Sequence, residues 1–278
     1  MPAFFSMKSS ALSPIRSLLH RMGWDIFHHS RDPAVRFAND AREAIRLEPA
    51  YRLAHASKLG WRLSLAELLD VLQINAVLDI GANTGQFKQE VRALGYKGLI
   101  HSFEPIPELA SALKIAAASD PLWKIHPHAM GAKAETRILH ILADDALSSL
   151  HRPNPEATLA WSEAKTRIVR ELEVSVQRLD SFFAPTQPGA ALQSVFLKID
   201  TQGSELAVLK GCGAALTRIH AVQFEASVRP AYDGGTTYPE IIAWLEAQGF
   251  VLGSLFPICH QGLRLVEFDC LMLRPPSP

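Results

Sequence analysis

The sequence has few of the features typical of a secreted protein, a structural zinc protein or a nucleic-acid-binding protein. Its 278 residues include only three cysteines, Cys212, Cys259 and Cys270, and no Cys-x-x-Cys pair. That number and spacing argue against a disulfide framework and a structural zinc site. The 28 basic and 28 acidic residues cancel, so no footprint for nucleic acid is expected. No window approaches the roughly 20 apolar residues of a membrane span, and residues 1–10 hold no signal-peptide core, so the cytoplasm fits best.

Both common phosphate-binding motifs are missing as well. Residues 77–85 read VLDIGANTG, an apolar run followed by an acid and a glycine turn. The run predicts a strand buried on both faces, with a helix from about Thr84 to Leu94. A dinucleotide fingerprint needs glycine at its third and sixth positions, where Asn83 and Gln86 stand, and a P-loop needs Gly-Lys-Ser/Thr. We therefore expect the N–H groups at this helix start to face another ligand, such as an amino-acid carboxylate.

Acids follow the first two predicted strands. Asp79 would repel a pyrophosphate but can accept hydrogen bonds from an ammonium group. The second strand, 99–103, delivers Glu104, where an acid accepts hydrogen bonds from the hydroxyls of a ribose. A ligand with both an amino-acid moiety and a ribose is S-adenosylmethionine. The two motifs in register predict this cofactor.

Two later strands also end in acids. The strand 194–199 is followed by Asp200, and the strand that begins at His220 ends in Glu225. Ligands in open α/β sheets lie beyond the carboxyl ends of strands, so both acids are predicted near the reactive end of the cofactor. Asp200 is the first candidate for a base, with metal binding and capping of the next helix as alternatives. Lys198 reads as packing or an ion pair, and Glu205 as support for a helix start.

Histidines add further candidates. Alternation over Trp123 to Met130 places His126 and His128 on one face, where they could ligate a metal, although no third ligand is evident. His128 and His260 are further candidate bases. Residues 143–156 read as a long loop, either a lid or a solvated excursion.

The two ends of the chain complete the predicted architecture. Residues 1–73 show helical periodicity without strands, with a short helix ending at Gly23 and a break near Gly60, and are predicted to form a helical cap. Residues 74–278 are predicted to form one catalytic α/β domain with a doubly wound, Rossmann-like sheet. A C-terminal antiparallel hairpin pairs 251–256 with 265–273.

A family resemblance rests on five segments in order: DIGANTG at 79–85, FEP at 103–105, RLD at 178–180, LKIDTQGSE at 197–205 and VLKG at 208–211. With them the chain resembles FkbM-type S-adenosylmethionine-dependent methyltransferases from about Val77 to Leu273. The resemblance implies a class I methyltransferase sheet and methyl transfer to a hydroxyl of a sugar, glycan or polyketide-like acceptor. It also places residues 128–130 beside the adenine.

The resulting expectations name two sets of residues and no metal ligand. A metal-assisted enzyme and a non-catalytic binding module stay as alternatives, the latter because Gln202 stands where many relatives carry glutamate. A small-molecule or glycan acceptor is expected, and a homodimer is left open. The cofactor set is Asp79, Gly81, Asn83, Gly85, Glu104, Pro105, Ala129 and Met130, and the catalytic set is Asp200, Glu225 and His128.

Overall fold

The structure, a computed structural model, describes residues 49–275. The predicted short helix ending at Gly23 lies outside the described residues, as does most of the predicted cap. Elements are numbered from the first described helix.

Seven strands form the main sheet. They are β1 (Ala76–Ile80), β2 (Leu99–Phe103), β3 (Trp123–His126), β7 (Val195–Ile199), β8 (Ile219–Ser227), β9 (Val251–Gln261) and β10 (Arg264–Leu273). Their order is β3-β2-β1-β7-β8-β10-β9. The five neighbouring strands β3, β2, β1, β7 and β8 pair in parallel, whereas β10 runs antiparallel to both β8 and β9. The predicted doubly wound class I sheet with a C-terminal antiparallel hairpin is confirmed.

Helices cover both faces of the sheet because alternate residues of its central strands are apolar on both sides. Leu78 and Leu197 point into one core, against α6 (Leu179–Phe182), α7 (Glu205–Gly211) and α8 (Tyr238–Ala247). Val77 and Phe196 point into the other core, against α1 (Pro49–Val71), α2 (Gln86–Ala93) and α3 (Pro107–Ala117). Strand β7 is therefore central, as its continuous apolar sequence predicts.

Helix α1 corrects one expectation. It runs unbroken from Pro49 to Val71, so the break predicted near Gly60 is wrong. A single glycine costs a helix interior only about 1 kcal/mol relative to alanine, and tertiary packing readily outweighs that cost. The helix packs Trp61 and Leu65 into the second core, and Trp61 Nε1 donates to Gln223 Oε1 at 2.9 Å. Burial of these side chains joins α1 to the same hydrophobic core as the sheet.

A second, three-stranded sheet stands beside the first. It contains β4 (Ala129–Met130), β5 (Glu135–Leu142) and β6 (Ile168–Gln177) in the order β4-β6-β5. The segment 123–130, predicted to span the third and fourth strands, does hold two strands, and they belong to different sheets. Two short helices, α4 (Pro155–Ala160) and α5 (Glu163–Thr166), precede β6. The predicted loop after β5 contains a 3₁₀ turn at Asp145–Leu147.

Candidate active site

A cavity of about 250 Å³ opens at the carboxyl ends of β1, β2 and β7. Its lining combines residues from the turn after β1, the segment after β2, strand β4, the loop after β5 and the end of β7. Six of the eight predicted cofactor residues line it: Gly81, Asn83, Glu104, Pro105, Ala129 and Met130. Asp200 and His128 line it as well. The sequence motifs thus converge on one crevice.

Gly81 occupies its position for steric reasons. Its φ is 80°, and a Cβ built on it would lie 1.9 Å from the carbonyl oxygen of Asp200. The backbone N–H of Asp200 donates to the carbonyl of Ile80 at 2.9 Å, which fixes this close approach. Only glycine allows the ends of β1 and β7 to meet in this way.

Gly85 does not line the cavity, and the N–H groups of the turn that precedes α2 are already paired. Gly85 starts α2 with φ 82° and packs against Leu113 and Trp123, outside the cavity lining. The backbone N–H groups of residues 81–85 all have partners within the protein, including the Phe103 carbonyl and the Glu104 carboxylate. The turn therefore shapes the crevice by its backbone path and offers none of these N–H groups to a ligand.

Glu104 is held rigidly at the edge of the cavity. Its Oε2 accepts the N–H of Asn83 at 2.8 Å and its Oε1 accepts the N–H of Ile106 at 2.9 Å. The residue is only 4% exposed. Burial raises the pKa of Glu104 to about 7, and the two N–H donors offset that effect only in part. The remaining lone pairs of this carboxylate can accept hydrogen bonds from hydroxyl groups.

Asp79 lies behind the cavity and does not line it. The residue is fully buried. Its Oδ2 accepts a hydrogen bond from Ser102 Oγ at 3.1 Å. Its Oδ1 lies 3.4 Å from Lys198 Nζ without hydrogen-bond geometry. Burial raises the pKa of Asp79 more than the neighbouring lysine lowers it. Lys198 is thus the cationic neighbour of Asp79 in this structure.

Lys198 links Asp79 to Asp200. Its Nζ lies 3.2 Å from Asp200 Oδ2. Burial alone lowers the pKa of Lys198, but Asp200 and Asp79 outweigh burial and raise it. The lysine lines the cavity, so the ion pair expected from the sequence stands at the site itself.

Asp200 does not cap the following helix. Its Oδ1 accepts from Gln202 Nε2 at 2.9 Å. The N–H groups of Thr201 and Gly203 instead donate to Glu205 at 3.1 and 3.0 Å, in agreement with the supporting role predicted for Glu205. Capping is therefore excluded as the reason for an acid at position 200.

The two histidines of the 123–130 segment have different surroundings. His126 stacks on Phe103, and its Nε2 lies 3.0 Å from Nδ1 of His101. Burial lowers the pKa of His101 and of His126 to about 4, so both rings are neutral near pH 7. His128 lies beyond the strand and lines the cavity with a buried Nδ1 that has no hydrogen-bond partner among residues 49–275. The expected shared face of His126 and His128 is not found.

Glu225 lies in a second, smaller cavity of about 30 Å³. Gln202 lines both cavities, and its Nε2 donates to Asp200 Oδ1 and to Glu225 Oε1, each at 2.9 Å. Burial, then Asp200 and Glu267, raise the pKa of Glu225 well above its ordinary value. The two predicted catalytic acids are thus neighbours across one glutamine.

The loop after β5 forms one wall of the first cavity. Asp145, Ser148 and Leu150 line it. Asn83 Nδ2 donates to Asp145 Oδ1 at 3.3 Å, and Ser149 Oγ donates to the Gln202 carbonyl at 2.6 Å. The alternative of a solvated excursion is therefore wrong for residues 145–150.

The sequence did not assign a place in the site to several of its residues. Lys198 and Gln202 were noted, but the motif does not show that Gln202 contacts both Asp200 and Glu225. The only signal for Asp145 and Leu150 was that of a long loop, and the only signal for Tyr232 was its place in a polar loop. His260, a candidate base, lies on β9 and lines neither cavity.

The described residues 49–275 also bear on metals and membranes. None of their His, Cys, Asp and Glu side chains group in threes or more as a metal site would require. None of the helices in this part of the chain is long and apolar enough to cross a membrane.

The strand order, with a crevice at the carboxyl ends of β1, β2 and β7, defines a class I S-adenosylmethionine-dependent methyltransferase. The chain matches the methyltransferase FkbM domain over residues 79–252. It belongs to the FkbM methyltransferase family, which confirms the resemblance. No curated protein sequence matches the chain.

Solved structures similar to the chain include two methyltransferases with bound S-adenosylmethionine. One is the O-methyltransferase TomG from Streptomyces achromogenes, involved in tomaymycin synthesis, with 15% identity, TM-score 0.44, and 97% of this chain and 100% of TomG covered. The other is the magnesium protoporphyrin IX methyltransferase ChlM from Synechocystis PCC 6803, with 9% identity, TM-score 0.42, and coverage of 98% and 100%.

Proposed function

We propose that the protein transfers a methyl group from S-adenosylmethionine to a hydroxyl group of a sugar, glycan or polyketide-like small molecule. The observation that carries the proposal is the position of Asp200. Its carboxylate stands at the end of the central strand and lines the same cavity as Glu104. A base and a ribose-binding acid thus share one crevice.

The residues of the cavity fit the proposed cofactor. Glu104 offers free lone pairs to the ribose hydroxyls, and apolar Ile106, Ala129 and Met130 can line the adenine. The unpartnered Nδ1 of His128 fits a polar edge of that ring. When bound, the sulfonium would supply an electrophilic methyl carbon, which the acceptor oxygen takes as S-adenosylhomocysteine leaves.

The chain's own contribution to the reaction is alignment and proton removal. Holding the acceptor oxygen in line with the methyl group supplies much of the rate, on the order of 7 to 11 kcal/mol for well-oriented reactants. The acceptor hydroxyl also loses a proton, and Asp200 is placed to take it. Glu225 lines the second cavity and is linked to Asp200 through hydrogen bonds from Gln202.

Two assays test this proposal. Calorimetry with S-adenosylmethionine and S-adenosylhomocysteine, with a nicotinamide dinucleotide as the control, tests the cofactor. A panel of glycan and polyketide acceptors incubated with methyl-labelled S-adenosylmethionine tests the reaction. Binding without transfer to any acceptor would favour a non-catalytic binding module, and loss of transfer with chelator would favour metal assistance.

Three further expectations join the proposal. One is a helical cap formed by residues 1–73, of which α1 shares a core with the sheet; the others are the cytoplasm as compartment and no nucleic acid as partner. The homodimer remains open.

A further inference from the structure

Gln202 forms the wall between the two cavities. It is 9% exposed and contributes to the lining of both. Its two amide hydrogens go to carboxylates on neighbouring strands, Asp200 after β7 and Glu225 on β8. No other residue lines both cavities within the described part of the chain.

The orientation of the Gln202 amide is fixed by its neighbours. Its Oε1 lies 3.0 Å from the hydroxyl of Tyr232, a donor that it shares with the Leu147 carbonyl at 2.8 Å. A flipped amide would turn Oε1 toward two carboxylates, which are acceptors when ionised. The observed orientation is therefore the only one that gives both carboxylates a donor.

The backbone of Gln202 is also held in place. Its φ is 55°, in the left-handed region that residues other than glycine and asparagine rarely adopt. Its carbonyl accepts from Ser149 Oγ of the cavity wall. A strained conformation persists where the surroundings determine it, as they do at this residue.

The charges around the amide explain why a neutral donor suits this position. A glutamate at 202 would bring a third carboxylate against Asp200 and Glu225, and an apolar side chain would leave these two without a donor between them. The charged and titratable groups that face this cluster are Lys198 from β7, Asp200 directly after it, Glu205 from the start of α7, Glu225 from β8, Glu267 and Asp269 from β10, and Tyr232 from the loop after β8.

We propose that Gln202 is a positioning residue that holds the carboxylates of Asp200 and Glu225 in one fixed arrangement, so that the acceptor hydroxyl meets its base at the junction of the two cavities. This inference rests on the proposed function, because it assigns Asp200 the acceptor's proton. Gln202 itself exchanges no proton in the reaction. It acts through the two acids.

The first test requires neither cofactor nor acceptor. In the full chain, carbon-13 carboxyl NMR follows the titration of Glu225, assigned by loss of its signal in Glu225→Gln. Gln202→Met keeps the length of the side chain and removes the amide. Because the hydrogen bond from Gln202 lowers the pKa of Glu225, the midpoint of that titration is expected to rise by about one pH unit or more.

Two further variants keep this test decisive. Gln187→Met makes the same change on an exposed loop and is expected to leave the midpoint unchanged. Tyr232→Phe retains Gln202 but removes the hydroxyl that orients it, so a smaller rise is expected even if Gln202→Met does not fold. An unchanged midpoint in both Gln202→Met and Tyr232→Phe would overturn the inference, since Gln202 would then only support the fold.

Kinetics separate positioning from a structural role. With an acceptor from the labelled-methyl panel, Gln202→Met is expected to lower kcat at least tenfold while KM for S-adenosylmethionine stays within threefold. A kcat equal to that of the parent would overturn the inference. If the parent transfers no methyl group, the proposed function fails, and the Glu225 titration still decides the role of Gln202.

Discussion

The two halves of the crevice are built by different means. On the cofactor side, the turn of residues 81–85 and the acid Glu104 are held mainly by backbone contacts, and the Glu104 carboxylate accepts two N–H groups. On the acceptor side, Asp200, Gln202 and Glu225 contact one another only through side chains. Backbone geometry therefore fixes the first site, whereas side-chain hydrogen bonds fix the second. The following predictions test that difference, from the largest expected effect to the smallest.

Asp200→Asn is expected to lower turnover by about 100-fold or more, the usual scale for a positioned base. Affinity for S-adenosylhomocysteine should stay within a few-fold, because the cofactor contacts lie on the other half. Steady-state kinetics and calorimetry on the same preparation measure both. The surface variant Asp70→Asn on α1 is the control. Turnover within a few-fold of the parent would make Asp200 a structural residue.

Glu104→Ala is expected to weaken the binding of S-adenosylhomocysteine by roughly 1.5 to 3 kcal/mol, the range for hydrogen bonds to a charged group. Calorimetry measures the loss. Glu108→Ala is a matched control, since Glu108 lies one turn further on, is 62% exposed at its side chain and pairs with Arg170 at the surface. Equal affinities for the parent and Glu104→Ala would remove Glu104 from the cofactor site.

Affinity for S-adenosylhomocysteine should depend on pH through Glu104. The carboxylate accepts ribose hydroxyls best when it is ionised, and burial raises its pKa to about 7. Affinity should therefore fall by about tenfold from pH 8 to pH 6. The folding stability of the free protein should change with pH in the opposite direction. Because the pKa of Glu104 is higher in the folded state, the free energy of unfolding should rise as pH falls from about 7 toward 4.5, the ordinary pKa of a glutamate. An identical pH profile in Glu104→Ala would assign the dependence to another group.

A change in the scaffold should spare both halves. Glu240 Oε2 accepts the N–H of Thr237 at 2.9 Å and its hydroxyl at 2.6 Å, at the start of α8. Thr237→Ala is expected to lower the free energy of unfolding by about 1 kcal/mol, as loss of a helix cap does. Denaturant titration checks this value. Methyl transfer should not change, and a large loss of turnover would show that α8 is coupled to the acceptor side.

The sequence was informative where function depends on local geometry. Strand β1 and its glycine turn are encoded within nine residues, and Gly81 is required by the approach of one backbone to another. Asp200 and Glu225 were found because their strands end beside each other in a parallel sheet. Each of these predictions needed only a strand, its end and the rule that ligands lie there.

The remaining parts of the site depend on tertiary contacts that no local pattern encodes. Asp79 stays a predicted cofactor residue, and no local pattern indicated that Lys198 would lie beside it. Gln202 gained its role only when Tyr232 and Ser149 came within reach from other loops. Gly60 suggested a helix break because glycine has a low helix propensity. Propensity is a weak signal, however, and the packing of α1 on the sheet outweighed it.

The most direct test of this account is an experimental structure of the protein with S-adenosylhomocysteine. The account predicts the ribose hydroxyls within hydrogen-bond distance of Glu104, the adenine against Ala129 and Met130, and the sulfur directed toward Asp200 and Gln202. A complex in which the ribose does not contact Glu104, or in which the sulfur faces away from Asp200, would contradict it.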